Sequence, residues 1–139
     1  MRTITFLLLG WLFAGVAPAA AQAWLMIAGG DGSFRFEMPV PFELLQSDTE
    51  LDGTTTVSYR HTTPDLSLRL DVVDTEACHC KLAVEPDIVA ERKEAGARVE
   101  VTWSYVVGLR TYRLTATSTR EAENDPMIHR FLGSMRLAR

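Results

Sequence analysis

The sequence predicts an α+β domain, in which an antiparallel sheet of about five to six strands carries two helices packed on it. Three observations lead there. Apolar and polar residues alternate with period two over most of the chain, two segments carry helix punctuation instead, and short Gly, Pro and Asp breaks separate the runs.

The first strand is Phe34, Phe36 and Met38 alternating with Ser33, Arg35 and Glu37. Pro39 and Pro41 remove ladder donors, so the chain should turn there and pack Phe42, Leu44 and Leu45 back onto the core. Asp52-Gly53 marks a turn. Thr55, Val57 and Tyr59 form the next inward row. After the break at Thr63-Pro64-Asp65, Leu66, Leu68, Leu70 and Val72 alternate with Ser67, Arg69 and Asp71, and the short loop makes the two runs an antiparallel pair. Pro86 and Asp87 open a helix that Gly96 closes, with Ile88, Val89 and Ala95 as its thin apolar edge. Val99, Val101, Trp103, Tyr105 and Val107, then Tyr112, Leu114 and Ala116 beyond Gly108, read as a hairpin with one buried and one wet face. Asp125-Pro126 starts a last helix that buries Ile128, Phe131 and Leu132. Gly133 ends it, and Ser134 to Leu137 add a short strand.

The N-terminus has the three parts of a secretory signal: Arg2, an apolar run from Ile4 to Val16, and small residues from Ala17 to Ala23 that offer A-x-A cleavage sites. Cleavage after Ala23 is preferred, with Ala21 second. The expected organisation is a signal peptide over 1–23, a flexible leader over 24–32 that includes Gly29-Gly30-Asp31-Gly32, and a single domain over 33–139. The protein is then exported, periplasmic or secreted, and keeps no stable membrane span once the signal is cut. A retained anchor is the rival reading, since no charge lies between Arg2 and Asp31. A net charge of −4 with no basic run in the sequence argues against nucleic acid and against anionic membrane surfaces.

Three stretches carry a family likeness: Phe34-x-Phe36-x-Met38-Pro39-x-Pro41-Phe42-Glu43-Leu44, then Tyr105-Val106-Val107-Gly108-x-Arg110-x-Tyr112-Arg113-Leu114, then Arg130-Phe131-Leu132-x-Ser134-Met135-Arg136-Leu137. Together, over Ser33 to Leu137, they resemble the PsbP-like fold and the small exported proteobacterial domains related to it. That resemblance implies a terminal hairpin, helix and strand, and roles in binding and assembly rather than catalysis.

Among residues that could carry chemistry, Cys78-His79-Cys80 stands out. Two thiolates and an imidazole suit a soft metal, copper or zinc, or a thiol-redox role. The alternatives are a strained Cys78–Cys80 disulfide, as an oxidising compartment favours, and free or intermolecular thiols. His61 reads as a loop-edge side chain and His129 as the polar side of the last helix. Asp71, Asp74 and Glu76 lack calcium-loop spacing and read as a solvated strand end. Arg69, Arg110 and Arg113 are expected on the wet face of the sheet, and Tyr59, Trp103, Tyr105 and Tyr112 in a core beneath helices. G-x-S-x-G, H-E-x-x-H and a phosphate-binding glycine loop are absent from the sequence, so no catalytic residue is assigned. The reading is an exported binding or interaction module for a protein or small ligand, without a cofactor. Its alternative is a soft-metal or thiol-redox protein acting through Cys78, His79 and Cys80.

Overall fold

Alternation along the chain becomes two antiparallel sheets. The computed structural model describes residues 21–47, 53–75 and 87–138. Strands β1 (Trp24–Ala28), β2 (Phe34–Pro39) and β9 (Arg136–Leu137) form a small sheet in the order β1-β2-β9. Strands β3 (Glu43–Ser47), β4 (Thr54–Thr62), β5 (Leu66–Thr75), β6 (Asp87–Ala95), β7 (Arg98–Val107) and β8 (Arg110–Thr119) form a large sheet, ordered β3-β4-β5-β8-β7-β6. One helix, α1 (Pro126–Leu132), precedes β9.

The expected α+β class is therefore wrong. Among the described residues the chain is mostly β, with one short helix rather than two. The segment expected as the first helix is β6, which pairs with β7 from Asp87↔Val106 to Ala95↔Arg98. The misreading has a physical source. Asp87–Ala95 is rich in good helix formers, and Gly96 has a φ of 62°, a conformation shared by helix C-caps and tight hairpin turns. Here it makes the turn Gly96-Ala97, and an unbroken ladder overrides helix propensity. Gly108 does the same between β7 and β8, with a φ of 60°.

Two further segments differ from expectation. The stretch expected as a flexible leader contains β1, which pairs with β2 from Trp24↔Pro39 to Ala28↔Arg35. No charge separates it from the apolar N-terminal run, which hides it from a reading by periodicity. Leu44 and Leu45, expected in the core, lie on edge strand β3 and are 59% and 44% exposed; only Phe42 of that group packs inward.

The core lies between the inner faces of the two sheets, with α1 closing one side. Phe34, Phe36 and Met38 of β2 meet Leu66, Leu68, Leu70 and Val72 of β5 and Tyr112, Leu114 and Ala116 of β8. Ring contacts fix the seating: Phe36 meets Tyr59 edge-on at 5.1 Å between centroids, and Phe34 meets Tyr112 at 5.2 Å. Helix α1 adds Ile128, Phe131 and Leu132. It starts at Asp125, whose carboxylate accepts the Met127 N–H at 2.8 Å, with Pro126 in the first turn. No helix among the described residues is long and apolar enough to cross a membrane.

Candidate functional site

The period of two that fills the core also builds the opposite face. Residues between the buried positions of β4, β5, β8 and β7, together with Glu91 and Lys93 of the exposed strand β6, point away from the core and line a trough of about 640 Å³. Register sets its rows. One runs Arg60–Arg69–Thr115–Thr102–Glu91, the next Ser58–Asp71–Arg113–Ser104, and a third Ser67–Thr117–Glu100–Lys93. Arg60, Arg69, Arg113 and the acid Asp71 occupy the β4–β5–β8 half, and Glu91, Glu100 and the base Lys93 the β7–β6 half.

Most of the charged groups in the trough are held. Asp71, only 8% exposed, accepts the Ser58 hydroxyl at 2.5 Å and the Arg69 Nε–H at 2.6 Å. Arg60 pairs with Glu43 at 2.9 Å, and Lys93 with Glu91 at 3.3 Å. Thr102 and Thr115 face each other with their hydroxyl oxygens 3.5 Å apart. Two charges have no hydrogen-bond or ion-pair partner among the described residues: Arg113, set between Asp71 and Ser104, and Glu100, set between Lys93 and Thr117.

A second polar cluster sits at one end of the core. Arg110 donates twice to Asp74, at 2.5 and 2.7 Å, and also to Asp31 at 2.6 Å and to the Ser33 hydroxyl oxygen at 2.8 Å. Ser33 in turn donates its hydroxyl and backbone N–H to Asp31, at 2.6 and 3.0 Å. These two Ser33 bonds, and then Arg110, hold the Asp31 carboxyl well below the usual carboxylate range. The cluster ties the β1–β2 turn to the ends of β5 and β8.

The residues singled out from sequence are dispersed. Cys78, His79, Cys80 and Glu76, the residues of the metal and disulfide readings, lie outside the described residues. Among the described residues no group of three or more His, Cys, Asp or Glu is placed to hold a metal ion. His61 is not a loop-edge side chain. It is 3% exposed on the inner face of β4, with Nδ1 2.7 Å from the Pro41 carbonyl oxygen and Nε2 buried without a partner among the described residues. His129 is exposed on α1, as expected. Asp71 and Asp74 point to opposite faces, and Arg110 belongs to the core-end cluster rather than the wet face; Arg69 and Arg113 do lie on that face. Tyr112 is buried, while Tyr59, Trp103 and Tyr105 are half-buried against the core. Burial raises the pKa of Tyr59 and of Tyr105. Sequence reading missed the trough as a unit because its residues come from five strands, each looking like an ordinary solvated position. The signal was present in the outward rows of Ser, Thr and charge on β7 and β8.

No family model matches the chain, and no curated protein matches it.

Proposed function

We propose that this chain is an exported binding module, and that the outer trough holds a short peptide in its zwitterionic form. One observation carries the ligand class: the trough leaves one cation and one anion unpaired, Arg113 and Glu100, at opposite ends. On β7 the register partner of Arg113 is Ser104, four residues from Glu100. At about 3.4 Å per residue, that places the two charges roughly 14 Å apart. An extended chain of about four residues spans the same distance. A free carboxylate at Arg113 and a free ammonium at Glu100 would each gain a charge-assisted bond, and the hydroxyls of Thr102, Thr115 and Thr117 would meet the peptide groups between them.

Binding rather than catalysis suits the other ionisable groups, because Arg60, Arg69, Asp71, Glu91 and Lys93 are each clamped by a partner. A clamped charge is well set to hold a ligand and poorly set to exchange protons. The resemblance of the β2, β7–β8 and α1–β9 segments to PsbP-like domains leans the same way. Export rests on Arg2, the apolar run and the alanines that follow. Of the two cleavage positions, Ala21 keeps more of the fold. The Ala23 carbonyl accepts the Val40 N–H at 3.0 Å, and the Gln22 side chain donates to the Val40 carbonyl at 2.6 Å.

Isothermal titration with tetra-alanine, free or capped at either end, tests the ligand class. The free peptide should bind, and C-terminal amidation or Arg113→Gln should each weaken binding about tenfold. Equal binding of free and doubly capped peptides would discard the zwitterion reading.

A further inference from the structure

The small sheet carries a separate polar groove, facing away from the trough. Along β2 the buried Phe34, Phe36 and Met38 alternate with outward Arg35 and Glu37. Strand β9 pairs with β2 at only two positions, Phe34↔Leu137 and Arg35↔Arg136. The second pairing sets two exposed arginines directly opposite each other on one face. Their backbones lie about 5.5 Å apart, because this is a hydrogen-bonded pair in phase with the Ala138 N–H to Ser33 carbonyl bond. Like charges so placed repel, and almost any neutral residue would relieve them.

The surroundings compensate this pair only in part. Glu37 is the acid that lines the groove, and Arg130 of α1 occupies it at 2.7 Å while lying over the Trp24 ring at 4.3 Å. That contact with Arg130 holds the Glu37 carboxyl below its usual range. Arg136 is pinned by its Nη1, which donates to the Gly133 and Met135 carbonyls at 2.8 Å each. Its other N–H groups, and the whole Arg35 guanidinium, have no acceptor among the described residues. Between β2, β9 and α1 the groove encloses about 490 Å³.

We infer that Arg35 and Arg136 form a binding site for a phosphate monoester. Two facing guanidiniums with most of their N–H donors unused match a group that carries between one and a half and two negative charges at neutral pH, as such a phosphate does. A carboxylate, with one charge and two oxygens, would engage fewer of these donors. The inference is independent of the peptide reading: it uses another sheet and none of the trough residues.

The test turns on Arg35→Gln, because a site role and a structural role predict opposite results. In the absence of phosphate this variant should unfold at the same temperature as the parent or higher, since it removes a repulsion. Inorganic phosphate, at ionic strength matched with chloride, should raise the melting temperature of the parent and of the control Arg98→Gln. It should leave Arg35→Gln unmoved, with affinity by calorimetry lower by about tenfold or more. Vesicles of phosphatidylcholine doped with phosphatidic acid form a second arm. Phosphate binding without vesicle binding assigns a soluble ester, and vesicle binding that needs Arg35 assigns a lipid headgroup. If phosphate and acetate act alike on the parent, or if Arg35→Gln keeps the phosphate response, the site does not exist.

Discussion

The two faces of the large sheet are built from alternate residues of the same strands, yet they answer to different demands. On β5, Leu66, Leu68, Leu70 and Val72 are sealed under the small sheet, while Ser67, Arg69 and Asp71 line the trough. The inner face is interlocked: Phe36, Leu68, Leu70 and Leu114 are fully buried, and none can change volume without disturbing the others. The outer face consists mostly of groups that water can also satisfy. Stability is thus concentrated on one side of a single layer, and the other side is free to carry recognition at little cost to the fold.

The largest test of that division is Leu70→Ala. Loss of a fully buried leucine should lower unfolding free energy by about 2–5 kcal/mol, measured by urea titration. A loss under about 1 kcal/mol would mean that the core relaxes around the gap and is not interlocked.

Asp71→Ala probes the exception to the division, a buried acid on the outer face. It leaves the buried Ser58 hydroxyl and one side of Arg69 without an acceptor, so a loss of about 1–3 kcal/mol is expected. If the variant is as stable as the parent, Asp71 serves only the ligand surface.

Acid probes the core-end cluster and, on the small sheet, the Glu37–Arg130 pair. The folded-state pKa of Asp31 and that of Glu37 lie below the unfolded values, so unfolded chains take up protons first. Their contribution is complete above the ordinary carboxylate range and should fade as pH falls below about 5, the loss continuing well below pH 3 for Asp31. Arg110→Gln should lower stability at neutral pH by about 1 kcal/mol, after allowing for the half-open Asp31 and Asp74. It should also flatten the acid decline only in part, because the two Ser33 bonds to Asp31 remain. A parallel shift of the pH–stability curve, with no change of slope, would remove Arg110 from the linkage.

The smallest effect belongs to Arg113→Gln, which should move stability by no more than about 0.5 kcal/mol. A larger loss would tie the trough to the fold and blur the contrast between the faces.

Much of this was legible in the alternation itself. β2, β5, β7 and β8 stand where period two put them, and the Asp125-Pro126 start and Gly133 end of α1 follow from capping chemistry. β6 was not legible, because its residues favour helix in isolation and only β7 decides otherwise. β1 was hidden because no charge separates it from the apolar N-terminal run. The trough and the Arg35–Arg136 pair depend on register between strands far apart in sequence, and a net charge of −4 gave no hint that two arginines meet. The Cys78-His79-Cys80 motif, the most conspicuous local pattern, lies outside the described residues.

The order of strands in the large sheet also implies an order of events in time. β4 meets β5, and β6 meets β7 and then β8, across short turns, so these pieces can zip within microseconds. β5 and β8 are neighbours in space, but their first pair, Asp74 and Arg110, lies 36 positions apart along the chain. Joining them closes a long loop before the core contacts that reward it have formed, which makes this seam the bottleneck of assembly. In stopped-flow chevrons, Leu114→Ala at the seam should slow refolding, while Val99→Ala in the β6–β7–β8 meander should mainly speed unfolding. Should both act on the same limb, the sheet is assembled in a single step instead.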